Sequence, residues 1–533
     1  MEMLLLPTVG DRREPDSNMT LGRKQDSLFP YIDYDHFGMG WLGIVQEYEW
    51  SYKHLRRDNM PPQRHKSLEV AQKSFGPTSV TKSRVYLQNR RSTFKRGDFI
   101  HVIVEARDEY GNGRMRGGDF LAGVMCNGQF QKYTAGRTVD YGNGTYSMYF
   151  FAGWTGDASI NVTLLFTREA VLSYDTARYK DRRLAWFVNF TDGKVIEKSN
   201  CTLANEGGWE NKCSYSNMWS LGRTMFLCDK GKTLGCHALT NISNDLRGMF
   251  RFARDALKGK EYLFNGKFRN AQFTASPIKV KIEDSQKTLD IPACGPDLPV
   301  SMSSGYWASE KIFVPLMCRC QAWTPKERLQ CASDKRFFLN GDSTLGQIHQ
   351  LLLSKGIVGG TLETVFEYIA LRVGNNVQRV NELMLEGDFI DKISTSTCRS
   401  TTPVVVFNFS FHYASWSIRA YLDRVYQTKL AVLRLLERCP KAIVIVKLAH
   451  PRDNVDGEQS VHSGNYLFYD MNRMVRRVFS GIGVNFLDLW DMVLSHPNEN
   501  AVHLKLNVLI QQLDMMLCYI CPDMVKEQRR AFA

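Results

Sequence analysis

The chain has 533 residues, too many for one hydrophobic core, which predicts about two to four domains. Hydrophobic residues make up 44% and charged residues 23%, the composition of a globular protein, so disorder is not the default. The formal net charge is +13. No helix-turn-helix, zinc-finger or RNA-binding signature accompanies this charge, so nucleic acid is disfavoured as a partner.

The basic excess is concentrated in short clusters in the first third of the chain. They lie at 90–91, 95–96, 114–116 and 180–183. Two interpretations stay open. The clusters either form a surface for acidic partners such as anionic glycans, or they are an ordinary solvated basic surface.

Cysteines and glycosylation triplets point to the secretory pathway. The thirteen cysteines are Cys126, Cys201, Cys213, Cys228, Cys236, Cys294, Cys318, Cys320, Cys331, Cys398, Cys439, Cys518 and Cys521. The Asn-x-Ser/Thr triplets begin at Asn18, Asn143, Asn161, Asn189, Asn200, Asn241 and Asn408. This combination predicts disulfides, with at least one thiol left unpaired or bridging two chains. The CxxC pair at 518–521 is expected to be structural rather than redox-active, and Asn408, which ends a buried strand, is expected to be unmodified.

The N-terminus does not supply a secretory leader. Residues 1–7 hold only a short apolar run, and charges follow at 11–14, so neither a signal-peptide core nor a membrane span fits there. We expect that the leader is missing from this sequence and that the protein works in the Golgi lumen or is secreted. A membrane anchor is not visible in the chain. The alternative is a cytosolic protein with reduced cysteines.

Composition divides the chain into four predicted regions. Residues 1–75 are polar with scattered aromatics and indicate a stem or extension. Residues 76–170 alternate apolar and polar side chains between Gly/Asn/Asp turns, which predicts a β-sandwich. Residues 171–300 carry cysteines without a repeated CxxC pair, so a disulfide-held connecting region is favoured and no metal is expected. Residues 301–533 are predicted to be an α/β domain.

The strands of the β-sandwich are predicted at 83–87, 99–104, 147–151 and 159–166. The phrases at 106–108 with Gly111, at 117–119, and at Asp140 with 142–146 resemble a filamin-type, immunoglobulin-like repeat. That resemblance implies an interaction or spacer module.

The α/β domain is predicted from near-continuous Val/Ile runs between amphipathic segments. Strands are predicted at 337–339, 403–409, 442–448 and 484–487. Helices are predicted at 344–354, about 361–370, 415–438, 463–479 and 503–519. This pattern indicates a parallel sheet covered on both faces. Active sites in such sheets lie at the carboxyl ends of strands, which selects 342–343, 408–412, 450–453 and 488–491.

Ser343 is the candidate nucleophile, since a serine at a strand-to-helix turn is exposed beside helix N-terminal amides that can face an oxyanion. The alternative is an ordinary helix N-terminal serine. Acyl transfer also needs a base and a group to orient it. The candidate bases are His412, His450 and His503, and the candidate orienting groups are Asp488 and Asp491.

Three motifs carry a resemblance to a known family: 341–345 (GDSTL) with Gln347, 488–492 (DLWDM) and 518–522 (CYICP). Together they resemble the neurexophilin and PC-esterase domain (NXPE) family over about 75–533. The resemblance implies an SGNH/GDSL-like α/β domain behind the immunoglobulin-like β-sandwich. It also implies an O-acetyltransferase or acetyl esterase for glycans or glycoproteins, including sialic acid. No cofactor is implied, although an acetyl donor such as acetyl-CoA would be a co-substrate, and a protein partner could bind the β-sandwich.

The family pattern assigns roles residue by residue. Ser343 maps to the nucleophile and His503 to the base, while Gly341, Asn408 and His412 are the oxyanion candidates. The family's late aspartate is Asn500 here, so Asp491 or Asp488 would have to orient the base.

Two further departures are Gly346, where the family carries arginine, and Leu504, where it tends to carry proline. Together with Asn500 they motivate a second hypothesis. In it the chain is a non-catalytic secreted or lumenal interaction protein with a degenerate esterase-like domain.

Overall fold

The computed structural model describes most of the chain after residue 75. The described residues are 31–32, 76–179, 186–204, 211–216, 222, 224–244, 253–255, 257–273, 276–287, 289–357, 378–379, 385–414, 416–453, 457–497 and 501–525. The predicted stem therefore lies almost wholly outside the described residues. The predicted helix at 361–370 and Asn500 also lie outside them.

Strands dominate the first 320 residues. They are β1 (Tyr31–Ile32), β2 (Arg84–Leu87), β3 (Thr93–Lys95), β4 (Phe99–Glu105), β5 (Phe120–Asn127), β6 (Lys132–Asp140), β7 (Thr145–Phe151) and β8 (Gly156–Phe166), followed by helix α1 (Arg168–Tyr179). Next come β9 (Trp186–Thr191), β10 (Ile196–Ala204), β11 (Lys212–Ser216), β12 (Met225–Asp229) and β13 (Leu239–Asn244). The last are β14 (Arg269–Gln272), β15 (Ile278–Glu283), β16 (Val300–Ser301), β17 (Gly305–Ser309) and β18 (Ile312–Pro315).

Helices and strands alternate in the remainder. The elements are α2 (Pro325–Ala332), β19 (Lys335–Asn340), α3 (Ser343–Ser354), β20 (Gln378–Arg379), α4 (Glu386–Asp391), α5 (Thr395–Ser400) and β21 (Thr402–Phe407). They continue with α6 (Ile418–Arg438), β22 (Ile443–Lys447), α7 (Gly457–Ser463), α8 (Asn465–Phe479), β23 (Asn485–Leu487), α9 (Trp490–Ser495) and α10 (Leu506–Ile520).

The first sheet contains eleven strands among the described residues, along the path β2-β4-β7-β6-β5-β8-β15-β3 with β14, β17 and β18 attached. Its strands alternate as the sequence predicts: Ile100, Val102 and Val104 are fully buried, and the residues between them are partly exposed. The four predicted strands are present as β2, β4, β7 and β8, with ends that differ by a few residues.

The sequence did not predict β5 and β6, because each carries a glycine in its interior. These two glycines face the ring of Phe150. A Cβ at Gly136 would lie 2.5 Å from that ring, and one at Gly123 would lie 2.6 Å from it. Glycine usually signals a turn, but in these two strands it makes room for a buried aromatic side chain.

The region predicted as a cysteine-rich connection forms most of a second sheet, in the order β11-β12-β10-β9-β13-β20. The disulfide Cys201–Cys228 joins β10 to β12, and Cys213–Cys236 joins β11 to the short helix Cys236–Ala238. Its buried residues Val188, Phe190 and Phe226 share a core with α6 and α8. The region is therefore packed against the α/β part of the chain.

The third sheet confirms the prediction of parallel strands, in the order β19-β21-β22-β23. Alternate residues of each strand enter different cores. Phe338, Val405 and Phe407 pack with α6 and α8 on one face, and Val404 and Val406 pack with α3 and α10 on the other. Because an apolar core covers each face of the sheet, successive residues of each strand are apolar.

Six disulfides lie within the described residues. They join Cys201–Cys228, Cys213–Cys236, Cys294–Cys318, Cys320–Cys518, Cys331–Cys521 and Cys398–Cys439. Disulfide bonding is thus confirmed, and Cys126 is the one unpaired thiol of the odd set. Cys518 and Cys521 bond to different partners about 190 residues earlier, so the CxxC motif fastens the end of α10 to the segment around α2.

A hairpin connects the first sheet with the parallel sheet. Strands β17 and β18 pair with each other, and Trp307 of β17 pairs with Tyr133 of β6. The indole Nε1 of Trp307 donates to the carbonyl of Met492 in α9, at 2.8 Å.

None of the described helices combines the length and apolarity needed to cross a membrane.

Candidate active site

Ser343 and His503 are brought together at the carboxyl edge of the parallel sheet. Ser343 is the first residue of α3, directly after β19, and His503 lies in the loop that precedes α10. The Nε2 of His503 is 2.7 Å from the Oγ of Ser343. Ser343 is half-buried and His503 is exposed, so the pair faces solvent at the surface of the molecule.

Asp342 holds the turn on which Ser343 is mounted. This carboxylate is only 2% exposed. It caps α3 by accepting from the N–H of Thr344 at 2.9 Å and from its hydroxyl at 2.6 Å. It also accepts from the Ser410 hydroxyl at 2.6 Å and the Phe411 N–H at 3.0 Å. Asp342 therefore joins the turn at 341–343 to the segment that follows β21.

The first N–H groups of a helix have no partner within the helix. In α3 the N–H groups of Thr344, Leu345 and Gly346 all bond to Asp342. The N–H of Ser343 donates to none of the described residues. It is a donor at the N-terminus of α3, where the helix dipole favours negative charge.

Lys447, the last residue of β22, places a buried cation under this turn. Its Nζ donates to the Thr344 hydroxyl at 2.9 Å, and that hydroxyl donates to Asp342. Burial lowers the pKa of Lys447 to about 8, and Asp342 opposes this shift. Burial alone would raise the pKa of Asp342, but His412, Lys447 and the hydroxyl donors together hold it well below its ordinary value. The structure thus buries a lysine and an aspartate that share one hydroxyl.

The side-chain amide of Asn408, a predicted oxyanion donor, is occupied by hydrogen bonds to its neighbours, and its oxyanion role stays a prediction. The Nδ2 donates to Asp342 Oδ1 and Ser410 Oγ, each at 2.9 Å, and the Oδ1 accepts from the Asp342 N–H at 3.0 Å. Asn408 is fully buried. It therefore stabilises the turn at 341–343, and its burial leaves no room for a glycan.

Gly341, another predicted oxyanion residue, makes room for Asn408, and its oxyanion role stays a prediction. A Cβ at this position would lie 2.1 Å from the Oδ1 of Asn408, so only glycine allows the amide of Asn408 to approach the Asp342 backbone.

His412 lies in the short helix Phe411–Tyr413 that follows β21, close enough to Asp342 to lower the pKa of that carboxyl. Its part in the site stays a prediction.

Asp488 and Asp491, predicted to orient His503, pair with arginines, and their orienting role stays a prediction. Both are buried beside Arg137 of β6, whose Nη2 is 3.4 Å from Asp488 and whose Nε is 3.2 Å from Asp491. Arg476 also pairs with Asp488, at 2.8 Å, and Asp491 accepts from the Ser304 N–H at 3.0 Å. Within the described part of the chain, neither carboxylate bonds to His503. These aspartates instead join the first sheet to the parallel sheet.

His450, another candidate base, is buried and serves as a donor. Its Nε2 lies 3.0 Å from the carbonyl of Val502, so the ring holds the residue next to His503. Burial lowers the pKa of His450 to about 3, and Lys447 lowers it further than Asp342 raises it. The imidazole is therefore neutral at physiological pH but a weak base, and its Nε2 is occupied by the Val502 carbonyl.

This burial predicts a pH dependence of stability. Between about pH 6.5 and pH 3 the unfolded chain binds a proton at His450 that the folded chain does not, so the free energy of unfolding falls as pH falls. We expect a loss of about 2 kcal/mol between pH 6.5 and pH 5 from this residue. Denaturant unfolding of wild type and His450→Gln at both pH values measures it. Equal pH dependence in the two proteins would refute the assignment.

One arginine of each basic cluster that the structure describes is paired with a carboxylate. Arg91 pairs with Asp98 at 3.4 Å and Arg96 with Asp284 at 2.8 Å. Arg114 is buried and pairs with Glu169 at 2.6 Å. These contacts favour the ordinary interpretation for those clusters. Residues 180–183 lie outside the described part.

No group of His, Cys, Asp or Glu among the described residues is arranged to hold a metal ion. The fold and the site together define a class: a multidomain, sheet-rich protein in which a parallel α/β sheet presents a Ser–His pair at its carboxyl edge.

The family follows from two matches. Residues 62–257 match the family described as "Neurexophilin", and residues 372–521 match "NXPE family member 4-like, C-terminal domain". The two ranges together cover more than half of the chain, and the chain belongs to the NXPE/neurexophilin family. His503 lies within the second match, whereas Ser343 lies between the two.

Among solved structures, the chain is similar to invasin, a bacterial integrin-binding protein, at 12% identity. The similarity covers 41% of this chain and 43% of invasin, with a TM-score of 0.14. A score this low supports no conclusion about fold or function.

Proposed function

We propose that the protein is a serine-dependent acyltransferase or esterase of the SGNH/GDSL type, directed at glycans of the secretory pathway. The observation that carries the proposal is the 2.7 Å contact between Ser343 Oγ and His503 Nε2 at the N-terminus of α3. A serine within hydrogen-bond reach of an imidazole is the arrangement that activates a hydroxyl as a nucleophile. The parallel sheet and its carboxyl-edge site fit this class of enzyme.

The reaction would proceed in two half-steps. With Nε2 unprotonated, Ser343 Oγ attacks the acyl carbonyl carbon and its proton passes to His503. The bond from the carbonyl carbon to the leaving atom then breaks, and His503 returns the proton to that atom. A glycan hydroxyl, or water, attacks the acyl-serine while His503 takes its proton. The ester bond to Ser343 breaks, and the proton returns to Oγ.

The Ser343 N–H would stabilise the tetrahedral intermediate. It precedes the hydrogen-bonded turns of α3, where the helix dipole favours negative charge. The turn is rigid because Asp342 accepts hydrogen bonds from both α3 and the segment after β21. The proposed immunoglobulin-like first sheet would act as a spacer or interaction module joined to the catalytic part through Arg137.

The disulfides and the family favour a lumenal or secreted setting for this activity. Thiol pairing of this extent is expected in an oxidising compartment. The exposed glycosylation triplets at Asn143 and Asn200 are accessible for modification there. The glycan acceptor, with sialic acid among the candidates, and the acetyl donor belong to the proposal through the family resemblance alone.

One observation favours the alternative of a non-catalytic interaction protein. No carboxylate of the described residues bonds to His503, and the two aspartates expected to do so pair with arginines. In serine proteases, replacing the triad aspartate with asparagine lowers turnover by about four orders of magnitude, because the histidine is no longer held in the correct tautomer.

A fluorophosphonate probe decides between the two proposals. The probe forms a covalent bond only with an activated serine, so the full-length folded protein is expected to be labelled at Ser343 and Ser343→Ala is expected to remain unlabelled. A folded wild-type chain that gains no label would favour the interaction protein.

A further inference from the structure

We propose that Gln347 is a positioning residue for His503 and takes over part of the orienting work that a carboxylate does in a Ser-His-Asp triad. The inference rests on the proposed function of the Ser343–His503 pair. Its own basis is a set of hydrogen bonds on both sides of His503 that fix the backbone of the base rather than its ring.

Gln347 holds the residue that follows His503 by two hydrogen bonds. Its Oε1 accepts from the Leu504 N–H, and its Nε2 donates to the Leu504 carbonyl, each at 3.0 Å. The amide thus pairs with one peptide residue as a neighbouring β-strand would. Loss of this side chain would free both backbone groups of Leu504.

The position of Gln347 in α3 gives the contact its significance. It lies four residues after Ser343, which places both side chains on the same face of the helix. Helix α3 therefore begins with the proposed nucleophile and also holds the loop of the proposed base, through Gln347. Ser343, whose Oγ lies 2.7 Å from His503 Nε2, and Gln347, which holds the loop of His503, thus belong to one helix.

His450 secures the other side of the loop. Its bond to the Val502 carbonyl at 3.0 Å comes from a fully buried ring in the segment that follows β22. His503 itself is exposed. Among the described residues its ring has one hydrogen-bond partner, Ser343. An exposed side chain on an anchored backbone keeps its direction only if the loop does not move, and the two flanking contacts supply that restraint.

The chemistry explains why the restraint matters. A base must lie within hydrogen-bond reach of the proton that it removes. A displacement of about 1 Å can lower the rate by about 100-fold. The triad carboxylate both orients the imidazole and stabilises its charged form. Gln347 would help to orient the imidazole but would not stabilise its charged form.

The test measures the rate of fluorophosphonate labelling in three variants of the full chain. Gln347→Leu keeps the side-chain bulk and removes both hydrogen bonds, and is expected to label about 100-fold more slowly than wild type. Gln347→Glu keeps an acceptor for the Leu504 N–H and is expected to recover part of the rate. Gln350→Leu makes the same change at an exposed position of the same helix and is expected to match wild type.

Hydrogen exchange separates this inference from the proposed function. The Leu504 amide is protected by Gln347, so Gln347→Leu is expected to speed exchange at that amide, with Gln350→Leu unchanged. If wild type is labelled and Gln347→Leu is labelled equally fast, the positioning role is overturned. If wild type is not labelled, the proposed function fails, and unchanged exchange at Leu504 would overturn the positioning contact as well.

Discussion

Replacement of His503 by alanine is expected to slow fluorophosphonate labelling of Ser343 by about 1,000-fold. A general base contributes about 100- to 10,000-fold to a reaction of this kind. His503 is the side chain that contacts the Ser343 hydroxyl among the described residues, at 2.7 Å. His503 is exposed and does not belong to a core cluster, so the loss is expected in rate and not in folding.

The control for His503→Ala is a variant at a histidine that does not contact the site. His237 lies in the short helix Cys236–Ala238 beside the second sheet, and His237→Ala is expected to label at the wild-type rate. Thermal unfolding of both variants should agree with wild type within a few degrees. A His503→Ala protein that reacts as fast as wild type would show that the imidazole does not activate Ser343.

Replacement of Lys447 by methionine is expected to destabilise the fold by about 3–5 kcal/mol, the usual loss when one member of a buried charge pair is removed. Lys447 is 1% exposed, and Asp342 is 2% exposed. Without the lysine, the carboxylate would stay buried with one cation fewer and with a Thr344 hydroxyl that has lost a donor. Denaturant unfolding of the full chain, monitored by tryptophan fluorescence, measures the change.

Two further variants identify the cause. Lys441 is exposed just before the same strand, and Lys441→Met is expected to change stability by less than about 0.5 kcal/mol. In the double variant Asp342→Asn with Lys447→Met, the uncompensated charge is gone. The double variant is therefore expected to lose less free energy of unfolding than the two single variants together, by about 1–3 kcal/mol. Strict additivity would mean that the two residues do not form an interacting pair.

The sequence was sufficient for the parallel sheet and the nucleophile turn because both depend on local signals. Continuous Val/Ile runs predicted β21 and β22, and the Gly-Asp-Ser turn predicted the start of α3. The late position of His503 identified it as a base candidate, and the structure places it 2.7 Å from Ser343. What remained open was which groups hold this pair in place.

That question depends on contacts between residues that are distant in sequence. Arg137 is more than 350 residues from Asp488 and Asp491, so no local pattern showed that it would occupy them. Lys447 gave one usable signal, a charge at the end of an otherwise apolar strand, which calls for a buried partner. The strand-end position of Asn408 fits both an oxyanion donor and a support for the turn, so the sequence did not distinguish these two roles.

Two strands of the first sheet also depend on contacts between residues that are distant in sequence. Gly123 and Gly136 interrupted the apolar pattern of β5 and β6, and only the packing of Phe150 against them reveals why glycine is needed there. The structural role of residues 186–244 depended on pairing of five strands with a sixth from residues 378–379. Composition alone indicated cysteines and turns in that region, not a sheet.

The most direct measurement is the mapping of the phosphonylated residue by mass spectrometry in wild type, Ser343→Ala and Ser410→Ala. Ser410 lies in the same network but is buried and bonded to Asp342, so it tests whether nearness to the site is enough for labelling. A single adduct on Ser343, absent in Ser343→Ala and retained in Ser410→Ala, is the predicted result. A folded wild-type protein without an adduct on Ser343 would contradict the proposal that this chain carries an activated serine.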